Sequence, residues 1–377
     1  MTETAVQTQT PSSDQVETLA TPQDLASTAH AGPVVRACPD QATWHQLRAV
    51  TIGASESAGL MIADSAEESQ GGETDDDEGE SVSPYLTSYQ LYHLKADTLP
   101  AEDREGSSNN RTEYGNLLEP VIAEAIARKQ GWSFRKPAGY YLHPQVPGMG
   151  ASLDYEVDVD GDGRFEPYEI KNVAATEAWK WRNSVGEWIV PPWIEIQCQH
   201  QMSVTGCERA VVGVLFGGNE DRVFEVYRDQ ELIETLEETI CAFWDAVEAG
   251  EPPEPNYERD AWVIKALNRK IDPDGAQVLD WTGSNELMNA AQELKHHASQ
   301  MNFHKKEADR LKAQLMHELG GAKAADLGQD LMLSSTEVAG THVSYYRRPY
   351  RKLDVKAPRK RHAGKSVSAA ARENGNQ

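Results

Sequence analysis

Cysteine is scarce in this sequence, and the four residues present are scattered: Cys38, Cys198, Cys207 and Cys241. None of them forms a CxxC pair, so the spacing typical of zinc and iron–sulfur sites is missing. We therefore expect reduced thiols in a cytoplasmic protein. The chain also lacks the apolar run of about 18 residues that a membrane span requires. Its N-terminus lacks the basic and then apolar pattern of an export signal.

Basic residues are also in deficit, since 36 Lys and Arg stand against 60 Asp and Glu for a formal net charge of −24. Such a total disfavours a DNA-binding surface spread over the whole chain. The charge is unevenly distributed, however. Residues 1–80 hold 15 acidic residues and two arginines, whereas residues 345–365 hold nine basic residues and one aspartate. The C-terminal segment is therefore a candidate for binding phosphates, although such tails are often merely solvated.

Composition divides the chain into four segments and one insert. Residues 1–33 contain few large apolar residues and predict a disordered tail. A cluster of prolines just after residue 250 predicts a domain boundary. The predicted segments are the tail, a main domain at 34–250 with an acidic insert at 65–83, a helical extension at 251–345, and a basic, flexible tail at 346–377. Helices and strands mix within the main domain, which predicts an α/β core.

Two helices are predicted from apolar periodicity. In residues 111–130 the helical period selects one buried stripe, with Glu119 at its margin just before Pro120. The stripe comprises Leu117, Leu118, Val121, Ile122, Ala125 and Ile126. In residues 284–319 an apolar residue recurs every seven positions, but the second seam contains Lys305 and Lys312. This pattern is equally compatible with a weak coiled coil and with packing against the core.

The most informative pattern is Asp154 followed by Glu169, Ile170 and Lys171. Side chains alternate between the faces of a strand, so Glu169 and Lys171 should project side by side, with Asp154 opposite on a partner strand. The carboxylates would hold Mg²⁺ and the ammonium would orient or deprotonate a water. Metal-assisted phosphodiester hydrolysis needs such groups because the attacking and leaving oxygens both gain negative charge. The pattern predicts a nuclease, although surface carboxylates and a Glu169–Lys171 ion pair would have the same spacing.

The segment between the two acidic positions also fits the spacing of a calcium loop. The matching residues are Asp158, Asp160, Asp162, Gly163 and Glu169. Calcium loops of this type lie between helices, whereas both flanks here read as strands. A solvated hairpin turn, in which Asp and Gly adopt unusual dihedral angles, is the favoured interpretation.

Four separated motifs make the chain resemble the YqaJ-type viral recombinase family, the branch of the PD-(D/E)XK nucleases that includes lambda exonuclease. They are residues 48–56 (RAVTIGASE), 114–120 (YGNLLEP), 150–154 (GASLD) with 169–171 (EIK), and 197–206 (QCQHQMSVTG). The similarity covers about 44–230. Leu153 replaces the proline that usually precedes the first aspartate, and the gap from Asp154 to Glu169 is somewhat long.

The resemblance implies a restriction-endonuclease-like core, in which helices flank a central mixed sheet, plus a C-terminal helical extension. It also implies roles for individual residues. Asp154, Glu169, the Ile170 carbonyl and Glu119 would bind metal, the last directly or through water. Lys171 would position the attacking water, and Gln197 would hold Lys171 or the water shell, although a polar residue on a helix surface is the alternative for Gln197.

By the same resemblance, Arg48 and Ser55 would bind a terminal 5′-phosphate, which a guanidinium and a hydroxyl suit. The alternative for Ser55 is a helix N-cap. His143 lies near the sequence position at which distant relatives have a metal-binding histidine, but we favour the interpretation that it is an ordinary histidine of an edge strand. The cluster of Trp179, Trp181, Trp188 and Trp193 predicts packing in the core and loops more than contact with DNA.

The function implied is a deoxyribonuclease that uses Mg²⁺, with Mn²⁺ as a substitute, in phage or prophage recombination inside a bacterial cell. It would digest one strand of a duplex end in the 5′→3′ direction and leave a 3′ overhang for a single-strand annealing protein. A homo-oligomeric ring is expected from the family. The alternatives are a structure-specific or nicking endonuclease on the same core, and a calcium- or DNA-binding module without catalysis.

Overall fold

The computed structural model describes residues 32–61, 81–104, 110–270, 279–328 and 331–340, together with residues 342, 344, 350, 351, 353 and 355. Most of the predicted N-terminal tail, the acidic insert and the basic tail lies outside the described residues. The chain divides into two compact units, unit 1 up to Leu267 and unit 2 from Asn268 onward. None of the described helices is long and apolar enough to cross a bilayer.

Unit 1 contains both strands and helices along its length. The strands are β1 (Val34–Arg36), β2 (Ile52–Gly53), β3 (Ser133–Arg135), β4 (Tyr140–Leu142), β5 (Met149–Ala151), β6 (Tyr155–Asp158), β7 (Glu166–Val173), β8 (Arg209–Phe216) and β9 (Glu220–Tyr227). The helices are α1 (Gln41–Ala49), α2 (Ala54–Ser57), α3 (Ser88–Lys95), α4 (Ala101–Arg104), α5 (Asn110–Gln130), α6 (Pro192–Thr205), α7 (Gln230–Ala249) and α8 (Ala261–Leu267), with a 3₁₀ helix at Ala175–Trp181.

The strands of unit 1 form two mixed sheets. In the five-stranded sheet the order is β3-β6-β7-β8-β9, and β7 runs parallel to β8 while the other pairs are antiparallel. In the four-stranded sheet the order is β1-β4-β5-β2, with β2 parallel to β5. The predicted α/β architecture with mixed sheets and helices is therefore confirmed.

Helices α5 and α6 pack on opposite faces of the central strands. Tyr168 and Ile170 of β7 lie in one apolar cluster with Ile122 and Ile126 of α5. The alternate positions of β7, Glu169 and Lys171, hydrogen-bond to glutamines of α6 instead. The period of two along β7 thus sends apolar side chains to one face and the charged pair to the other. Helices therefore cover both faces of this part of the sheet. This is consistent with the nearly continuous apolar run of β8, which lies next to β7.

The strand predicted to carry Asp154 is interrupted. The structure has β5 and β6 as separate strands, and Asp154 lies in a bend between them, level with Glu169 in the register of β6 and β7 but one residue before the paired part of β6. The ladder between β6 and β7 begins at the pair Tyr155 and Tyr168. The physical reason is that the Asp154 carboxylate accepts the Ile170 N–H at 2.9 Å, in the manner of a capping side chain.

The buried stripe predicted on α5 is wrong in its first half. Leu117, Leu118 and Val121 are exposed, whereas Ile122 and Ile126 are buried as predicted. Ala123 and Ala127 complete the buried face. Contact with the sheet involves the helix from Ile122 onward, so apolar periodicity identified the helix without identifying how much of it the sheet covers.

The prolines after residue 250 do not end the compact part of the chain. Val263 and Ala266 of α8 are buried in a cluster with Leu99. Asp260, fully buried, accepts hydrogen bonds from Thr87 and Gln90 of the α3 region. Unit 1 therefore includes the proline-rich stretch and α8, which lie inside the segment predicted as a helical extension. The division of the chain into functional domains stays a prediction.

Unit 2 contains the helix α9 (Asn285–Leu319) and a hairpin of β10 (Ala324–Gly328) and β11 (Leu331–Ser334). The predicted long helix is present, and Ser284 is its N-cap. No residue of α9 is buried among the described residues. Its seven-residue seam, including Leu287, Leu294 and Met301, is exposed, and the predicted coiled-coil or core packing stays a prediction.

Candidate active site

Three chain segments bring the predicted catalytic residues together. Asp154 comes from the bend after β5, Glu169 and Lys171 come from β7, and Gln197 comes from α6. Lys171 donates to Glu169 Oε1 at 2.5 Å and to Gln197 Oε1 at 3.3 Å. The ion pair weighed as an alternative for Lys171 is thus present within the same cluster as the two carboxylates. The structure therefore brings the predicted core of the site together.

Gln201, one helical turn after Gln197, completes the surroundings of Glu169. Its Nε2 donates to Glu169 Oε2 at 2.7 Å, and both side chains are nearly inaccessible to solvent, at 1% and 3% exposure. Residues four apart lie on the same face of a helix, so α6 presents both glutamines to β7. Gln201 belongs to the fourth motif but received no predicted role, although its spacing from Gln197 was a usable signal.

Negative charge accumulates at this site. Burial and the neighbouring Glu169 carboxylate raise the pKa of Asp154 well above its usual range, and Glu119 adds to the increase. Burial lowers the pKa of Lys171, but Glu169 and Asp154 together raise it above its usual value. Both pKa values are raised, and the negative charge of carboxylates that lie close together contributes to each, in addition to the burial of Asp154. A bound cation would relieve this imbalance.

Glu119 lies at the edge of the cluster. Its Oε1 accepts from Lys136 Nζ at 3.1 Å, and Lys136 also donates to the Asp154 carbonyl at 3.2 Å. The same ammonium lies 3.8 Å from the ring centre of Tyr155. Lys136 therefore ties α5 to the bend that carries Asp154. Nothing in the sequence pattern singled out Lys136, since it lies in the turn after β3.

The oxygen donors of the cluster meet the requirements of Mg²⁺. Within the described ranges, no three His, Cys, Asp or Glu side chains are arranged to hold a metal on their own. Mg²⁺, however, is usually bound by one or two carboxylates plus substrate phosphates and waters. Asp154 and Glu169 provide two hard oxygen donors with excess negative charge, and these two residues fit that ion. Roles for Glu119 and the Ile170 carbonyl as ligands stay predictions.

A cleft of about 280 Å³ opens beside the cluster. Its lining includes Ser55, Lys171, Gln197, Lys180, Trp181 and Trp193. Ser55 is exposed in α2, whose N-cap is Gly53, so the N-cap interpretation of Ser55 is wrong. The structure thus places the hydroxyl predicted to bind phosphate in the same cleft as the predicted catalytic lysine.

Arg48 lies against Gly53 rather than in the lining of that cleft. Its guanidinium pairs with Glu56 at 2.6 Å, and Glu56 also pairs with Lys95 at 2.9 Å. A Cβ on Gly53 would lie 3.1 Å from the guanidinium carbon, so glycine permits this close approach. Burial would raise the pKa of Glu56, but Lys95 and Arg48 lower it. One carboxylate faces two cations, which leaves one net positive charge beside Ser55 in the chain.

The calcium-loop pattern forms the hairpin turn between β6 and β7. Both carboxylate oxygens of Asp158 accept backbone N–H groups, from Gly161 at 2.8 Å, Asp162 at 3.2 Å and Gly163 at 3.0 Å. Asp160 pairs with Arg209 at 2.8 Å. Glu169 instead binds Lys171 and Gln201 in the candidate active site. The geometry therefore supports the turn that the flanking strands favoured.

The two histidines near the site are structural. His143 follows β4, and its Nδ1 accepts the Val146 N–H at 2.7 Å, which fixes the turn before β5. Its Nε2 lies 3.5 Å from Glu237. His200, fully buried on α6, contacts the Gly150 carbonyl at 2.9 Å, and burial lowers the pKa of His200 to about 4. No described contact joins His143 to Asp154 or Glu169, as favoured for an ordinary histidine. The edge-strand position predicted for it is wrong, however, because β4 lies between β1 and β5.

The tryptophan cluster is divided between packing and exposure. Trp181 is buried, and Trp188 and Trp193 pack partly buried against the same apolar cluster. Trp179 is 68% exposed. The predicted packing role therefore holds for three of the four.

Part of this chain is similar in sequence to known proteins. Residues 77–208 match the model of the YqaJ-like viral recombinase domain family. The chain is 24% identical over 253 residues to the uncharacterized protein YqaJ of Bacillus subtilis (strain 168), and the matched stretch covers 66% of this chain and 74% of that protein.

Two solved structures are also similar. One is an alkaline exonuclease (LHK-Exo) from Laribacter hongkongensis, with a TM-score of 0.39, 20% identity and coverage of 56% of this chain and 94% of that chain. The other is LHK-Exo in complex with dAMP, with a TM-score of 0.38, 21% identity and coverage of 54% and 90%.

The matched range contains the second, third and fourth motifs, while the first motif lies before it. The resemblance predicted from these motifs is confirmed, since residues 77–208 match the YqaJ-like viral recombinase domain and the chain is similar to YqaJ itself.

Proposed function

We propose that this protein is a Mg²⁺-dependent deoxyribonuclease that digests one strand of a duplex end, 5′→3′, and leaves a 3′ overhang. The observation that carries the proposal is the convergence of Asp154, Glu169 and Lys171 beside a cleft that also contains Ser55. The PD-(D/E)XK core and the use of Mn²⁺ as a substitute belong to the same proposal. An aspartate followed by Glu-x-Lys supplies two carboxylates to hold a metal and an ammonium to position a water, which are groups that metal-assisted phosphodiester hydrolysis uses.

The metal, held by Asp154 and Glu169, would supply Lewis-acid stabilisation of charge on the phosphate oxygens. The chain's own residues do the positioning. The Ile170 N–H fixes one oxygen of Asp154, while Lys171 and Gln201 each bind one oxygen of Glu169. Lys171, which is anchored by Gln197 and lines the cleft, would orient the attacking water.

Recognition of the DNA end is assigned to Arg48 and Ser55. The Arg48–Glu56–Lys95 cluster has net positive charge and Ser55 offers an exposed hydroxyl. A 5′-phosphate is a dianion near neutral pH and suits both groups. A nicking or structure-specific endonuclease needs no such pocket, and this difference separates the two activities.

The test is digestion of linear 5′-phosphorylated duplex DNA with Mg²⁺, comparing the wild type with Lys171→Ala. We expect loss of one strand in the wild type and a rate roughly 100- to 1000-fold lower in the variant, the usual cost of removing one preorganised donor. Lys129→Ala is the matched control, because Lys129 is a surface lysine paired with Asp221. Absence of digestion by the wild type with Mg²⁺ and with Mn²⁺ would refute the proposal.

End dependence is tested with Arg48→Ala. We expect the variant to lose its preference for 5′-phosphorylated over 5′-hydroxyl ends, while covalently closed circular DNA stays uncut by both proteins. End-labelling of each strand assigns the polarity. Cleavage of circular DNA by the wild type would instead establish the endonuclease.

Two kinds of partner are proposed on the strength of the resemblance. A single-strand annealing protein would receive the 3′ overhang, and several copies of this chain would enclose the DNA. Light scattering of the purified protein measures the second point directly, since a ring of several copies requires a mass several times the 41.7 kDa of one chain.

A further inference from the structure

Trp179 is held in an exposed position by a rigid support. It lies in the 3₁₀ helix Ala175–Trp181, which Trp181 anchors to the core. The Trp181 ring packs against Phe216 and Phe224, with centroids 5.6 Å apart in both cases. Trp179, two residues earlier, is 68% exposed. An exposed aromatic ring on a well-packed element offers a face on which a base can stack.

The position of this support relates it to the active site. The 3₁₀ helix follows β7, the strand that carries Glu169 and Lys171. Lys180 and Trp181 line the cleft that contains Lys171 and Ser55. The Lys180 ammonium lies 5.8 Å from the ring centre of Trp179. An aromatic face and a cation therefore stand next to each other at the border of the cleft.

We propose that Trp179 and Lys180 bind an unpaired nucleotide of the DNA beside the active site. The indole would stack on the base and the Lys180 ammonium would bind the adjacent phosphate. This combination of aromatic face and positive charge is how proteins bind single strands without sequence preference. Inside a duplex both faces of each base are covered by neighbouring bases, so the site selects nucleotides that have left the stack. The inference rests on the proposed action on DNA ends.

Binding to two single strands of equal length separates the two contacts. One carries ordinary bases, and the other is abasic throughout, with the same phosphates. Affinities are measured by fluorescence anisotropy of the labelled strand in EDTA, after a gel has shown that the strand is intact. Since no cleavage is involved, the result does not depend on nuclease activity.

We expect Trp179→Ala to weaken binding of the ordinary strand roughly 5- to 100-fold, the range of one stacked base, and to leave binding of the abasic strand unchanged. Trp179→Phe should retain most of the affinity, because phenylalanine keeps a stacking face. Lys180→Gln should weaken the binding of both strands. It should also reduce the salt dependence of binding by the equivalent of roughly one phosphate contact. Trp262→Ala is the matched control, because this exposed tryptophan lies on α8 and not on the 3₁₀ helix that borders the cleft.

Equal loss of affinity for both strands in Trp179→Ala would overturn the stacking contact, and so would unchanged affinity for both. Thermal unfolding of each variant verifies that the fold is retained. A base-dependent loss in a protein that cuts no DNA would refute the proposed nuclease and support this binding site. A protein that cuts DNA but shows no base-dependent loss would support the nuclease and overturn the binding site.

Discussion

Replacing Gln201 with methionine tests whether α6 prepares Glu169 to bind metal. In the wild type, Glu169 is buried and its Oε2 accepts from Gln201 Nε2 at 2.7 Å. A hydrogen bond to a charged group contributes roughly 1.5–3 kcal/mol. Gln201→Met removes the donor with little change in length and leaves the bond from Lys171 to the other oxygen. The carboxylate should then be less well oriented.

The expected result is a change in metal dependence. Loss of a hydrogen bond to a ligating carboxylate typically weakens metal affinity about 10- to 100-fold, which matches the energy of the lost bond at about 1.4 kcal/mol per tenfold. The half-saturating Mg²⁺ concentration for digestion of 5′-phosphorylated duplex DNA should therefore rise about 10- to 100-fold. The rate at saturating Mg²⁺ should fall less.

Gln199→Met is the matched control. Gln199 lies on the same helix and is equally buried, at 1% exposure. Its amide, however, binds the Tyr227 carbonyl at 2.8 Å and the Asp229 N–H at 2.9 Å, away from Glu169. Both variants should lose about 1–3 kcal/mol of unfolding free energy, measured by denaturant unfolding. An unchanged Mg²⁺ requirement in Gln201→Met, or an equal increase in both variants, would refute the reasoning.

Three further predictions concern stability. Gly148→Ala should cost more than Gly161→Ala, although both glycines have positive φ: a Cβ on Gly148 would collide with the Trp244 indole, while Gly161 has open space. We expect the free energy of unfolding to fall by about 1–2 kcal/mol in Gly161→Ala and by about 1–3 kcal/mol more in Gly148→Ala. Equal Tm values for the two variants would contradict this prediction. Burial lowers the pKa of His200 to about 4 in the folded protein, whereas an unfolded histidine has a pKa of about 6.5. Between pH 6.5 and 4 the unfolded state therefore binds more protons than the folded state. The free energy of unfolding should accordingly fall by up to about 3 kcal/mol over this range. His200→Gln should flatten that profile in denaturant unfolding, and an unchanged slope would exclude this cause. Ca²⁺ should leave the Tm unchanged, because the Asp158 oxygens already accept backbone N–H groups, and a Ca²⁺-dependent rise lost in Asp158→Ala would revive the calcium loop.

The convergence of the predicted site residues was partly predictable because some of its signals are local. Glu169 and Lys171 lie on one strand, and the period of two places them on one face whatever surrounds them. The motif order placed Asp154 and Gln197 in the same site. The bend at Asp154 was not predictable, because it depends on the Ile170 N–H, which comes from another segment of the chain.

Burial was harder to predict than secondary structure. The apolar period of α5 is genuine, but the sheet covers the helix from Ile122 onward and leaves Leu117 and Val121 exposed. The spacing of Asp158, Asp160 and Asp162 equals that of a calcium loop, yet hairpin geometry directs the Asp158 carboxylate to the backbone. A spacing rule records which positions are near in sequence, and the partner of each side chain depends on what packs beside it.

By itself, the sequence determined the mixed α/β class, the strand that carries Glu169 and Lys171, and the family that residues 77–208 match. Local periodicity and motif order suffice for these, since they involve neighbours along the chain. Only the tertiary structure decided that Gln201 would bind Glu169, that Ser55 would share a cleft with Lys171, and that Trp179 would remain exposed. These arrangements arise from the packing of α2 on α6, and of α6 and the 3₁₀ helix on β7. The spacing of Gln197 and Gln201 marks one helix face, but no local pattern specifies what packs against that face.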